Sequence, residues 1–462
     1  MPDTAIAWPL VSRFVADRMG LHFPDQRLPE LKLGLSGAAS ELGFADAVAC
    51  AEWMLSTPLT PVHLQVLASH LTIGETYFFR DAKLFGALAD TVIPALLHER
   101  GRRADWRLRL WSAGCCTGEE AYSLAILLHQ AVPDLAQWHL SVLATDINTR
   151  FLRKAVAGVY GEWSFRNVPA GFKERWFRPT TDGRYEVVSE VRRLVTFTPL
   201  NLVDDTFPAL ATDTNAMDLI LCRNVLMYFS PEQARKVADK LHRALAPEGL
   251  LAVAPSEASR EALPQFGVRN LPGVILFTKQ TGDAAARPTH APVQLPSVAL
   301  PLASLAPLAP LAPLAPRVVQ ASTPADASPA HELSGQARAL ANEGRLSEAL
   351  ALCDRWVASH KLDAAAHFLR ALVLLELGDA AAAGGALQRS LYLTPDFVAA
   401  HFALGNVARA AGRHPDADRH FRNALRLLDR LRPTDLVAEV DGLSAARLGE
   451  IIRQLLAVEQ AA

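Results

Sequence analysis

At 462 residues the chain is too long for one ordinary domain, and its length suggests about two to four. With 46 Lys and Arg against 48 Asp and Glu, a formal charge of -2 excludes a general attraction to nucleic acid or an acidic membrane surface. The five cysteines (Cys50, Cys115, Cys116, Cys222, Cys353) form no C-x-x-C pair, which argues against a zinc site or a disulfide framework and for a reducing compartment, so the cytoplasm is the expected location.

The N-terminal stretch carries acids where a signal peptide needs a basic start, so export is not expected. Residues 1–85 read as short amphipathic helices, for example "LVSRFVADRM" and "PVHLQVLASHL", and are assigned to an N-terminal helical domain. From about residue 106 strands alternate with helices: "RLRLWSA", "HLSVLATDI", "MDLILCRN", "LLAVAPSE" and "GVILFTKQ", with "EEAYSLAILLHQ" and "PEQARKVADKLHRAL" as crossover helices. This rhythm predicts a parallel sheet over residues 86–281. Asp182-Gly183, set between alternating apolar and polar residues, marks a hairpin within a small antiparallel subdomain inserted at about 163–198.

A linker rich in Ala, Pro, Leu and Ser is expected at 282–331. Its segment 298–316, "VALPLASLAPLAPLAPLAP", has prolines too frequent for a membrane helix and suits a polyproline II spacer, so no membrane insertion is expected. Downstream, Gly344, Gly378 and Gly412 are 34 residues apart, as are Ala349, Ala383 and Ala417. That period and those residue types, with Pro395 between units, resemble the tetratricopeptide repeat family over residues 332–430, followed by a helical tail at 431–462. Such arrays imply a scaffold whose concave face takes a protein or peptide, here of unknown identity.

In an open parallel sheet, ligands sit at the carboxyl ends of the strands, near the place where strand order reverses. Four segments fall at such ends. "WSAGCCTGEEAYS" offers Gly114 and Gly118 for backbone approach and Glu119 at a helix start; "LATDIN" ends on Asp146, placed to accept ribose hydroxyls. "TPLNL" supplies Asn201 and Leu202, and "LCRNVLMYF" supplies Arg223, Asn224 and Tyr228. Taken singly, a Gly-x-x-x-Gly turn is equally a structural junction, a strand-end Asp equally a helix cap, and Arg223 equally a partner for a nearby acid. A ribose-binding acid without a phosphate-binding loop suits a nucleoside cofactor lacking phosphates, of which S-adenosylmethionine is the common one.

"TIGETYFFRD" (72–81), "WSAGCCTGEEAYSLA", "ATDIN", "TPLNL", "CRNVLMYF" and "LAPEGLLAVAPSEA", in that order, resemble the CheR-type chemoreceptor glutamate methyltransferases over roughly residues 10–280. The resemblance implies an α/β Rossmann-like methyltransferase domain behind an N-terminal helical domain, with S-adenosylmethionine as donor and S-adenosylhomocysteine as product. It implies glutamates in the cytoplasmic helical region of chemoreceptors as acceptors. By motif, Thr76 and Arg80 are expected to line the cofactor and reaction site. Glu119 and Asp146 are expected at the donor's amino acid and ribose regions, and Gly114, Asn201, Leu202, Arg223 and Asn224 complete the pocket. Arg80 and Tyr228 are expected to orient the acceptor, while Cys115 and Cys116 are read as packing residues and no metal is expected.

Three departures qualify the resemblance. Gly74 stands where some members carry a polar residue that contacts the cofactor. Residues 1–70 hold four basic side chains (Arg13, Arg18, Arg27, Lys32) against seven acids, unlike members that dock through a basic helix. "RPTTDGR" is short, with one glycine, where members that grip a receptor's C-terminal peptide carry a longer glycine-rich loop, so a peptide-independent enzyme is expected. Two other readings remain: a methyltransferase with another acceptor, and a binding module that keeps the cofactor fold but acts through its repeats.

Overall fold

The computed structural model describes residues 6–259, 261–279, 329–342, 344–433, 435–440 and 443–459. The spacer expected at 298–316, and the expected linker as far as residue 328, lie outside them.

The chain opens with helices Trp8–Met19, Leu28–Leu42, Ala47–Ser56 and Pro61–Leu71. Their apolar residues recur at helical spacing, and Val11, Val15, Leu31, Leu35, Met54 and Leu67 meet in one core. Start signals are explicit in the sequence: the Asp46 carboxylate accepts from Ala49 N–H at 2.9 Å, and Thr60 and His63 form a reciprocal capping box.

Among the described residues ten strands follow: β1 (Arg107–Ala113), β2 (His139–Asp146), β3 (Val159–Tyr160), β4 (Phe177–Pro179), β5 (Tyr185–Val187), β6 (Val195–Pro199), β7 (Met217–Leu221), β8 (Leu245–Ala252), β9 (Gly267–Leu271) and β10 (Val274–Thr278). Seven build one sheet in the order β6-β2-β1-β7-β8-β10-β9. The strands from β6 to β8 are mutually parallel, while β10 runs antiparallel to β8 and β9. The sheet is therefore mixed. "GVILFTKQ", expected to join the parallel set, instead folds back on β9 as a hairpin, because the two-residue Pro272-Gly273 turn between them leaves no room for a crossover helix.

The small sheet β3-β5-β4 carries the expected hairpin, but "VTFTP", assigned to the insertion at 163–198, is β6 and pairs with β2 in the main sheet. Phe78, Phe165, Phe172 and Phe177 pack into one aromatic cluster beneath the small sheet, so the insertion is seated on the "TYFFRD" loop.

The C-terminal helices pair as hairpins: Leu346–Ser359, then Ala364–Glu376 with Ala380–Leu393, then Val398–Ala410 with His414–Leu428, and a last helix, Ala445–Glu459. Gly378 and Gly412 sit in the turns between paired helices, and Ala349, Ala383 and Ala417 are fully buried where a larger side chain would hold neighbouring helices apart. The first of these hairpins leads back to helix Pro329–Asn342. The array abuts the amino ends of the main strands. Arg107 Nη1 donates to Glu376 O at 3.2 Å, Arg109 pairs with Glu376 and Asp213, and a Cβ on Gly378 would meet the His139 ring. No helix among the described residues is long and apolar enough to cross a membrane.

Candidate functional site

β1 steps to β2 on one side and is flanked by β7 on the other, so strand order reverses between β1 and β7. A crevice opens at their carboxyl ends for a geometric reason: the segments leaving β1 and β7 depart toward opposite sides of the sheet. The N-terminal helices roof this crevice. Met19, Leu21, Leu71, Thr72 and Ile73 line it from above, and Gly114, Asp146, Asn201, Leu202, Arg223 and Asn224 line it from the strand ends.

The loop after β1 folds through two glycines with different duties. Gly114 has φ +82° and faces the cavity, and a Cβ there would collide with Val225. Gly118, with φ +95°, does not face the cavity; a Cβ there would lie 2.8 Å from Ala155 Cβ, so this glycine makes room for the helix Thr149–Ala157 rather than for a ligand.

Asp146 ends β2 and is buried. Its Oδ2 accepts from Cys116 N–H at 2.9 Å and its Oδ1 from Asn148 N–H at 2.8 Å, which ties the loop after β1 to the end of β2. Burial pushes its carboxyl up to about 6 against the pull of those backbone donors. Cys115 and Cys116 line the cavity. Burial, with Asp146 and Glu119 adding to it, pushes the Cys116 thiol up to about 12, so it stays protonated.

Glu119 does not line the cavity. Its carboxylate accepts from the Thr117 hydroxyl at 2.6 Å and the Ser164 hydroxyl at 2.9 Å, joining the loop to the inserted subdomain. Glu120 lines the cavity instead. Successive helical residues point about 100° apart, so only one of the two glutamates can face the ligand; the sequence offers both at the helix start and does not say which.

Arg223 leaves β7 with its side chain only 4% exposed. Its Nη2 pairs with Asp81 at 3.0 Å, and its Nη1 pairs with Glu120 and donates to Arg80 O, both at 3.1 Å. This arginine is a clamp between β7, the helix start after β1 and the "TYFFRD" loop. The clamp holds a constrained backbone, since Phe79 and Asp81 have left-handed φ of 54° and 76°. Ser123 Oγ accepts from Phe79 N–H at 3.0 Å, and Arg80 is delivered to the cavity wall between the two. Thr76 and Tyr228 line the same cavity. Burial raises the Tyr228 phenol above its ordinary value, and it remains a hydrogen-bond donor at neutral pH.

Sequence reasoning missed Glu257, the anchor of the loop after β7. Its carboxylate accepts four backbone N–H groups: Asn224 and Ala254 at 2.9 Å, Val225 at 2.8 Å and Met227 at 3.1 Å. The only signal was an acid just past a strand end, in "APSEA". Glu257→Ala is expected to leave these buried donors unpaired and lower stability by roughly 2–4 kcal/mol, read as a denaturant midpoint shift, with Glu257→Gln recovering part of the loss. Phe151 was also missed. It lines the cavity, and its ring occupies the space a side chain at Gly74 would need, with Phe151 Cζ 2.6 Å from a Cβ built there.

The cavity thus has an apolar roof, a buried strand-end carboxylate and backbone from a glycine turn, and, among the described residues, no phosphate-binding loop. A sequence profile described as "CheR methyltransferase, SAM binding domain" matches residues 74–272. The "Probable biofilm formation methyltransferase WspC" of Pseudomonas aeruginosa is 33% identical over 378 residues, which cover 79% of this chain and 87% of that protein. The chain belongs to the CheR methyltransferase family. A protein of the same description from Pseudomonas putida is 30% identical over 412 residues, covering 87% of this chain and 93% of its own. The "Chemotaxis protein methyltransferase 2" of Vibrio cholerae is 32% identical over 219 residues, covering 47% and 72% respectively.

This CheR methyltransferase is thus an S-adenosylmethionine-dependent enzyme. The cavity fits that cofactor: Arg223 Nε is buried and has no hydrogen-bond partner among the described residues, and Asp146 keeps lone pairs beyond those its two backbone donors use.

Proposed function

We propose that this CheR methyltransferase esterifies glutamate side chains in the cytoplasmic helical region of chemoreceptors. One observation carries the reading: Arg80 and Tyr228, a cation and a neutral phenol donor, share one cavity with the strand-end residues that would hold the donor, as recognition of a carboxylate acceptor requires. The naming of relatives as chemotaxis and biofilm methyltransferases supports the same acceptor class.

Asp146 would accept the ribose hydroxyls, with Gly114, Asn201, Leu202 and Asn224 shaping the pocket around the nucleoside and Thr76 and Arg223 facing the amino acid portion. Glu120 takes the cavity-facing position expected of Glu119. When bound, S-adenosylmethionine supplies a sulfonium methyl group. The acceptor needs little activation, because a glutamate carboxyl with a reference pKa of about 4.3 is ionised at neutral pH. The task of Arg80 and Tyr228 is therefore orientation and exclusion of water rather than proton transfer. Arg80 already donates to Glu75 O at 2.6 Å, which divides its hydrogen-bonding between backbone and acceptor and avoids neutralising the nucleophile with an exclusive ion pair.

The helical hairpins resemble tetratricopeptide repeats, and their role is read as partner binding. They meet the sheet at the amino ends of β1 and β2, opposite the cavity, so an array anchored there would hold the enzyme near a signalling complex without covering its mouth.

Incubation with methyl-labelled donor and receptor-bearing membranes tests the acceptor. Label released by mild base as methanol is expected; base-stable label would reject carboxyl methylation.

A further inference from the structure

Trp163 lies in the 3-10 turn Glu162–Phe165 and is 73% exposed. The indole carries one guanidinium against its ring. The Arg166 guanidinium lies 4.5 Å from its ring centroid and 3.6 Å from that of Tyr77, and Arg166 Nη1 donates to Trp163 O at 2.8 Å. Arg166 Nη2 also pairs with Glu75 at 3.6 Å, while Arg80 lies 5.9 Å from the Tyr77 centroid. Phe78 N–H donates to Ser164 O at 3.0 Å, fastening the turn to the "TYFFRD" loop. A continuous series of guanidinium and ring contacts therefore joins the cavity wall, at Arg80 and Glu75, to an indole held in water. Ile73, 57% exposed, lines the mouth of the same cavity.

We propose that Trp163, linked through Arg166 to Tyr77, is the docking anchor for the acceptor: an acidic amphipathic helix that lays apolar side chains on Trp163 and Ile73 while its glutamate reaches Arg80. The inference rests on the acceptor reading above. Two features select this partner. The rim is continuous with the site that receives the carboxylate, and the cations Arg80 and Arg166 flank the aromatic surface, complementing a helix that carries further acids beside its target. An exposed Trp with a cation against its ring is the kind of side chain that carries a large share of an interface's binding energy, because it offers a large apolar area with only two side-chain torsions to order.

The test compares wild type, Trp163→Ala and Trp163→Phe, measuring initial methylation rates against receptor-bearing vesicles and S-adenosylhomocysteine affinity by calorimetry. Trp163→Ala is expected to raise KM for the receptor by about tenfold or more, with kcat and product affinity within about twofold of wild type and KM largely restored in Trp163→Phe. An unchanged KM, or a parallel loss of product affinity, would overturn the docking role while leaving the acceptor reading in place. Failure of the wild-type enzyme to form base-labile label on any receptor would instead remove the acceptor reading, and this anchor with it.

Discussion

Replacing Arg80 with alanine is expected to lower kcat by about a hundredfold or more while changing the affinity for S-adenosylhomocysteine by less than about threefold. The asymmetry follows from where the guanidinium stands. It reaches the cavity wall from a loop whose backbone is held independently, by Ser123 at Phe79 N–H and by Arg223 at Asp81 and Arg80 O. Truncating the side chain therefore removes a positioning cation without releasing the loop. Lysine at the same position is expected to recover only part of the rate, since an ammonium cannot present the planar fork of a guanidinium. Single-turnover rates and calorimetric titration with the product separate the two quantities, and an equal loss in both would assign Arg80 to donor binding instead.

Asp146→Ala should show the reverse pattern: product affinity reduced by about a hundredfold, through loss of an acceptor for the donor's hydroxyls and the unpairing of Cys116 and Asn148 N–H. The same carboxylate predicts a pH dependence. Because burial raises it to about 6, lowering the pH through that value protonates it and removes the charged acceptor. Affinity for the product should therefore be highest above about pH 7 and fall by up to tenfold per unit below about pH 6. Asp146→Asn should bind more weakly above about pH 6 and lose this slope. For the fold itself the sign is opposite: a carboxyl raised in the folded state takes up a proton before its unfolded counterpart does, so its contribution to stability declines as pH rises from about 4 to 6. A product-binding profile that stays level across that range would remove Asp146 from the site.

Much of this was legible in the sequence because it depends on local rules. The end of β2 at Asp146, the glycine turn after β1 and the 34-residue period are each written in a short stretch of residue types, and the strand-end rule then gathers Asp146, Asn201, Arg223 and Asn224 into one cavity. Where the reading went astray, the missing information was rotational or non-local. Glu119 and Glu120 differ only by about 100° of helix rotation. "VTFTP" looks like any short strand, and its membership in the main sheet depends on which edge is open when it arrives, here that of β2. Glu257 binds a loop some thirty residues earlier, and nothing near it in sequence announces those partners.

β1 marks the division between the two kinds of information. By itself the sequence determined that "RLRLWSA" is a strand leading into a glycine turn, because alternation and the following glycine are intrinsic to the segment. Read alone, its arginines belong in solvent. Only the tertiary structure decided that both are buried: Arg107 pairs with Asp105 and is capped by the Glu376 carbonyl, while Arg109 meets the carboxylates of Asp213 and of Glu376, the latter brought from more than 260 residues away, and a charge can leave water only where an opposite charge is waiting.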